Sequence, residues 1–571
     1  MAGRRAPPAI EDAVTTANPS PRPAAAGWHP TLTRAVDRIG APTAALVGLV
    51  VAGLVVLPAY RWHLTPDGVA YLSIARHLAE GRFLDAVNPY WSPLLSWLLA
   101  PLLAVGIPPL VAFKLVGILA AVAALLAVDR LLVTTGADRV ARAVTLLGAV
   151  PLLVHAAVTW MSPDLLVAVP VLWLTDRVVR RRWQRSTPAA FGTGALAGVA
   201  YLAKLYALPV VAVVLAVAAL LALRREGRRT ARRVVALAAG LATVLATWGG
   251  ILSLVVGAPT LGTAGSVNVE VLGRGTQGQP VLTQGLFVPP TPFAISAWED
   301  PSQLIPSPSS DEERAPLERP ASQGDGASSP DVPGAGRWYG LVDNVAENLR
   351  RTAEVAGTWW LAVGVVLVGA VAGLVRRRHT VGGPADARLL AVVGVAAVWA
   401  GGLLPLVVHA RYLWVSMLLL LPVIAAGLTR ARGRAVLPVL AAAALVAWVG
   451  PSVAELDRQR QFGPGIAALA QELRAAGIAP GDRLSSDRHW GIGATVCFHL
   501  DCRYHGVPRQ PTDGPALAAE LAEHDIDWHL GWDSVEAPSP ASAASRAAVE
   551  TGEGAVLYRL DHARARADGT G

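Results

Sequence analysis

A helix that crosses a bilayer has to satisfy its own backbone hydrogen bonds, so it needs about 20 mostly apolar residues to traverse a hydrocarbon core of about 30 Å. Eleven stretches of this 571-residue chain meet that need: residues 41–59, 108–132, 140–157, 163–179, 189–205, 207–223, 234–256, 357–375, 389–408, 412–429 and 435–451. With 53% hydrophobic and only 16% charged residues, the composition is that of a chain whose solvent is lipid. The expected fold class is therefore all-α and polytopic.

Orientation follows from where lysine and arginine fall in the short loops. Clusters at Arg177–Arg185, Arg224–Arg233, Arg376–Arg378 and Arg430–Arg434 follow the fourth, sixth, eighth and tenth stretches. All lie on one side if there are eleven spans, giving an N-in, C-out topology. A twelfth span at 90–106 would put successive clusters on the wrong side, so that stretch reads as an interfacial or re-entrant helix. The net charge of +8 is mostly arginine placed this way, which marks topology rather than a nucleic-acid groove. The first 40 residues, rich in Pro, Ala and Arg, read as a disordered cytosolic tail.

Three outward segments are large: 60–107 and 257–356 within the membrane domain of 41–451, and a terminal one at 452–571. The middle segment is dense in Pro, Ser and acids between about 300 and 335, where no packed core is expected. The last alternates helical patterns with strand-like runs (IDWHLGW, GAVLYRL) and predicts a small extracytoplasmic α/β domain. It holds Cys497 and Cys502, for which a disulfide is expected across the intervening turn; free thiols and a metal site are the other readings.

Chemistry is expected at the outer ends of the spans. From Asp67 to Glu80 apolar residues recur at helical spacing, predicting an amphipathic interfacial helix, and Asp67 fits its N-cap or first turn. Lys204 lies inside an apolar run, where an ionisable group is costly enough to be read as functional, with snorkelling as the alternative. Arg411 is a cation on the outward side, suited to bidentate phosphate contact or to interfacial anchoring beside Tyr412 and Trp414. Arg76, His155 and His409 lie near the same interface, as do Trp91, Trp97, Trp160, Trp359 and Trp360, which read first as belt residues.

Asp67, followed by Tyr71-Leu72-Ser73-Ile74-Ala75-Arg76, Ala79-Glu80-Gly81, Asn88-Pro89 and Trp91-Ser92-Pro93-Leu94, resembles the first periplasmic loop of the GT-C glycosyltransferase superfamily. The similarity is to the bacterial mannosyltransferase, aminoarabinose-transferase and RgtA/B/C/D-like branch. Ser162-Pro163-Asp164, Gly198 through Lys204 and Arg411-Tyr412-Leu413 agree, so the resemblance covers about residues 41–450. It implies an inverting transfer of sugar from a polyprenyl-phosphate-linked donor to a cell-envelope glycan, lipid or protein, outside the cytoplasmic membrane of a bacterium.

By that resemblance Asp67 is the general base; Lys204, Arg411, Tyr412, Arg76, Asn88 and His155, at the same outer ends, are the expected substrate contacts. Many relatives carry a second acid beside the first, whereas here Gly68 follows Asp67. Asp164 could supply the missing carboxylate, which leaves open a divalent metal, Mg or Mn, on Asp67 and Asp164; its other reading is the N-cap of the fourth span. Two other classes fit the composition: a transporter or flippase of lipid-linked sugars, and a non-catalytic scaffold.

Overall fold

The computed structural model describes residues 40–265, 285–286, 345–346, 348–350, 352, 384–405, 410–430, 436–460, 462–486, 490–507, 514–532, 545–551 and 554–561. The tail up to residue 39, the acidic loop at 300–335, the expected span at 357–375 and His409 lie outside them. Helices α1 (Ala41–Val56), α4 (Pro109–Thr134), α5 (Arg139–Thr159), α6 (Asp164–Val179), α7 (Thr187–Ala203), α8 (Ala207–Glu226), α9 (Ala231–Val256), α10 (Pro384–Leu403), α11 (Trp414–Arg430) and α12 (Val436–Gln459) follow the apolar runs. Among the described residues, six stretches are long and apolar enough to cross a membrane: Ala41–Tyr60, Pro109–Thr134, Arg139–Thr159, Ala207–Val256, Pro384–Leu403 and Arg411–Thr429. The Ala207–Val256 stretch contains both α8 and α9. The protein is a mostly helical, multi-pass membrane protein. Helices α6 and α7, at 16 and 17 residues, reach only about 25 Å.

Local chemistry sets the helix starts. Asp138 accepts from the amides of Val140 and Ala141 to open α5, and Ser186 accepts from Ala189 to open α7, where Pro188 completes the first turn. The core lies among α4, α5, α6, α7 and α11, on fully buried side chains such as Leu131, Leu152, Leu172 and Leu418. Helices α7 and α9 meet on glycine: a Cβ at Gly194 would sit 1.9 Å from the Leu237 carbonyl oxygen, and one at Gly240 would sit 2.0 Å from that of Phe191.

Two short helices cover one end of the bundle. Helix α3 (Leu94–Ala104), in the stretch read as interfacial, has 11 residues and a length of about 16 Å, too short to cross. It packs on α2 (Pro66–Ala79). That α2 would keep one face wet is an expectation the structure corrects, because every residue from Gly68 to Ala75 is buried. The cause is a second cover that its own periodicity cannot reveal, a helix of the C-terminal domain.

That domain begins at α13 (Phe462–Ala475) and includes α14 (Trp490–Leu500) and α15 (Gly514–Glu523). Its strands are β2 (Arg483–Ser486), β3 (Arg503–Tyr504), β4 (Gly506–Val507), β5 (Trp528–Trp532), β6 (Ser545–Glu550) and β7 (Ala555–Leu560); β1 (Gly285–Leu286) comes from the middle outward segment. Five strands form one sheet in the order β3-β2-β5-β7-β6, with β2 parallel to β3 and β5 and the other pairs antiparallel. Strand β1 pairs with β4. The two strand-like runs of the sequence are thus β5 and β7. The expected disulfide is not formed: Cys497 and Cys502 are free thiols buried in the apolar core of this domain. The turn does close, with the Cys502 amide donating to the Cys497 carbonyl at 3.1 Å, but both sulfurs are packed as small hydrophobes. Burial, and then the neighbouring Cys502, push the Cys497 thiol well above its ordinary range.

The domain is fastened to α2. Arg76 pairs with Asp501 at 3.3 Å, Trp62 meets His499 edge-on at 6.0 Å, and a Cβ at Gly491 would stand 3.1 Å from the Pro66 ring.

Candidate active site

Asp67 is the second residue of α2, yet it does not cap the helix. Thr65 is the N-cap and its hydroxyl accepts from the Gly68 amide at 3.2 Å, so the carboxylate is left for other work. Asp164 is likewise not a cap: it is the first residue of α6, and its oxygens go to side chains. Lys204 sits in the break between α7 and α8 rather than inside a helix. Its extended backbone ends α7, and the next amide, of Leu205, donates to the Ser92 hydroxyl at 2.9 Å. Arg411 lies in the 3-10 turn Ala410–Leu413 that leads into α11.

These four side chains from four separate segments converge. Arg411 Nη1 donates to Asp67 Oδ2 at 2.6 Å, and Arg411 Nε lies 4.0 Å from Asp164 Oδ2. Lys204 Nζ donates to Asp164 Oδ1, and the Ser162 hydroxyl donates to Asp164 Oδ2 at 2.6 Å. Tyr412 lies beside both cations, its ring centre 4.1 Å from Lys204 Nζ and 5.1 Å from the Arg411 guanidinium carbon. Two carboxylates and two cations leave the cluster formally neutral. The acids differ in access, since the Asp67 side chain is 25% exposed and that of Asp164 is 3% exposed.

The other expected site residues are placed differently. Arg76, nine residues after Asp67, is about 13 Å along α2 and on the opposite face, where it holds Asp501 and Glu80. Asn88 is buried and its Oδ1 accepts from the amides of Tyr90 and Trp91, both at 2.9 Å, so it shapes the turn. His155 is buried between Trp160 and Trp414, with ring centroids 5.5 and 6.3 Å away, and offers no open face.

Three residues escaped the sequence reading as site members. Ser162 orients Asp164, and its position two residues before the acid was the available signal. Tyr71 is buried close enough to both acids that burial first, and then Asp67 and Asp164, push its hydroxyl well up. Lys114 is fully buried in α4 and donates to the His63 carbonyl at 3.1 Å, tying down the segment that carries Asp67. It carried the same signal as Lys204, an ionisable residue in an apolar run.

The donor set does not suit a divalent cation. Both carboxylates are already turned onto Arg411 and Lys204, so a metal would meet two fixed positive charges, and no group of three His, Cys, Asp or Glu gathers among the described residues. Gly68 cannot be exchanged for the second acid of many GT-C loops here, because a Cβ would stand 2.8 Å from that of Met161.

No family model and no curated protein matches the chain. Among solved structures it is similar to ArnT from Cupriavidus metallidurans in the apo state, at 17% identity over 90% of this chain and 98% of that one, with a TM-score of 0.43. The same protein bound to undecaprenyl phosphate gives a TM-score of 0.42 at the same identity and coverage. The archaeal oligosaccharyltransferase AglB from Archaeoglobus fulgidus, in complex with an inhibitory peptide and a dolichol-phosphate, is 11% identical over 90% of this chain and 74% of that one, with a TM-score of 0.44. At these scores the likenesses carry no residue role or ligand across to this chain.

Proposed function

We propose that the protein is an inverting glycosyltransferase of the GT-C type, working at the outer face of the cytoplasmic membrane on a polyprenyl-phosphate-linked sugar. The observation that carries this reading is the convergence of Asp67, Asp164, Lys204 and Arg411 at the end of the bundle opposite the arginine-rich turns. Asp164 is buried and holds Lys204, and Arg411 is shared between both acids, so the two cations are fixed before any ligand arrives. Fixed cations are what a phosphate leaving group requires, because negative charge grows on its oxygen as the glycosidic bond breaks. Asp67, the more exposed acid, is the base.

In the reaction an acceptor hydroxyl oxygen attacks the anomeric carbon from the face opposite the phosphate. The bond from that carbon to the phosphate oxygen breaks, the electron pair leaves with the polyprenyl phosphate, and the hydroxyl proton passes to Asp67. Arg411 couples the two halves: it stays on Asp67 Oδ2 and orients the carboxylate, so that Oδ1, the oxygen it does not hold, accepts the proton. No step is routed through a metal, since the donor set does not suit one. The acceptor is a hydroxyl of a cell-envelope glycan, lipid or protein.

The test is transfer of labelled sugar from a panel of polyprenyl-phosphate donors in membranes containing the wild-type protein or Asp67→Asn. Wild-type transfer that falls at least about a hundredfold in the variant is the expected result. Donor flipped without transfer would overturn the proposal in favour of a flippase, and donor bound without turnover would leave a scaffold.

A further inference from the structure

The end of the bundle opposite Asp67 carries a second charged cluster that the proposed reaction does not use. It centres on Asp176, about 18 Å along α6 from Asp164 and 1% exposed. Arg180 Nε pairs with Asp176 Oδ1 at 2.9 Å, the Thr134 hydroxyl donates to the same oxygen at 2.6 Å, and Arg182 Nη1 lies 3.8 Å from Oδ2. Arg388, at the start of α10, donates to the Thr134 carbonyl at 3.3 Å, and the Arg130 guanidinium stands 4.9 Å from the Trp173 ring centre. Arg182 experiences Arg180, Arg130 and Arg185 as like charges and Asp176 as its acid.

Part of this positive charge is explained locally. Arg180 and Arg388 donate to carbonyls at the end of α4, where the last turn of a helix carries a partial negative charge. Arg130, Arg180, Arg182 and Arg388 together carry four positive charges. Asp176 removes one, and the C-terminal ends of α4 and α6 remove about half a charge each, leaving an excess of about +2. The neutralisation is incomplete in hydrogen bonds too, because Arg182 Nε is buried with no acceptor. Surplus guanidinium charge with a donor to spare, gathered among three membrane helices at headgroup depth, matches the phosphate of an anionic lipid in charge and geometry.

We infer that Arg130, Arg182 and Arg388, braced by Asp176 and Arg180, bind the phosphate headgroup of an anionic phospholipid at the end of the bundle away from Asp67. The inference is independent of the sugar-transfer reading. Native mass spectrometry of the full chain in mixed micelles holding equal phosphatidylglycerol and phosphatidylcholine tests it. Wild type should retain phosphatidylglycerol preferentially, and the preference should fall about fivefold for each arginine removed in Arg182→Gln/Arg388→Gln. Arg229→Gln, in the separate turn between α8 and α9, should keep it. If the double variant does not fold, Arg388→Gln alone carries the test, since that side chain is exposed and donates to a carbonyl only. Equal retention of the two lipids by wild type, or an unchanged preference in the arginine variants, would overturn the inference. So would displacement of the lipid by an equal concentration of inorganic phosphate, which would make the site one for the free ion.

Discussion

Arg411 touches both acids of the outward cluster, and the way it divides its charge decides what each can do. Asp164 has Lys204 and Ser162 as well and is a fixed part of the wall, whereas Asp67 is held by Arg411 and stays a quarter exposed. The two acids should therefore fail differently. Asp67→Asn is expected to lose transfer with an unchanged thermal midpoint. Asp164→Asn is expected to lose transfer and also about 3 kcal/mol of stability, because Lys204 would be left partly enclosed without its counter-ion. Thermal unfolding in detergent, followed by tryptophan fluorescence, separates the two, and an equal drop in both would make Asp67 structural. The ionisable residues at the ends of apolar runs were legible one by one, because such groups are too costly there to be incidental. Their pairing was not legible: 344 positions separate Asp67 from Arg411, and only the closed bundle joins them. Arg76 and Asn88 were misplaced for a related reason, since nearness in sequence says little when nine helical residues reverse the face and a turn consumes an amide.

At the scale of elements, the contact between α7 and α9 shows how short helices stay together where lipid supplies little hydrophobic drive. Gly194 and Gly198 are one turn apart on α7 and face Leu237 and Val244 of α9, and Gly240 faces back onto Phe191. Backbones this close gain dispersion and weak polar contacts that a larger residue would abolish. Gly194→Val should force the helices apart and cost about 2 kcal/mol or more. Its thermal midpoint should fall well below that of Gly192→Val, where the nearest atom to a Cβ is the end of a long arginine side chain at 3.9 Å. Equal midpoints would mean that α9 can move away freely. The apolar runs that became helices were in the sequence. The division between the runs ending at 205 and starting at 207 was there too, but the extended backbone at Lys204 was not, because a tertiary bond from Leu205 to Ser92 stabilises it. The burial of α2 from Gly68 to Ala75 was hidden for the same reason, since its second cover arrives some 420 residues later in the chain.

For the molecule as a whole, the joint between bundle and C-terminal domain depends on pH through histidines that are kept neutral. His529 is buried beside Ser485 (2.8 Å) in the centre of the sheet, and burial pulls it down to about 3. His63, in the segment that α13 presses on, is held at about 3 by burial and then by Lys114, and its Nε2 meets the Thr159 carbonyl at 2.9 Å. His499, against Trp62, is lowered to about 4 by burial and then by Arg474. All three have folded values below the ordinary 6.5, so the unfolded or undocked chain binds protons more readily. Their stabilisation is whole above about pH 6.5 and is lost as pH falls toward 4 and then 3. At pH 5 each fully buried histidine costs about 2 kcal/mol relative to neutral pH, and two such costs approach the whole stability of a small domain. The C-terminal domain should therefore loosen between about pH 6 and 4. Limited proteolysis across that range should release fragments beginning near residue 460 while α4 through α7, packed at the centre of the bundle, stay protected. His529→Leu should move the midpoint to lower pH, because a leucine cannot take the proton. A midpoint that does not move would assign the pH response to groups outside the sheet, and because α14 packs on the helix that carries Asp67, release of the domain should also lower sugar transfer over the same pH interval.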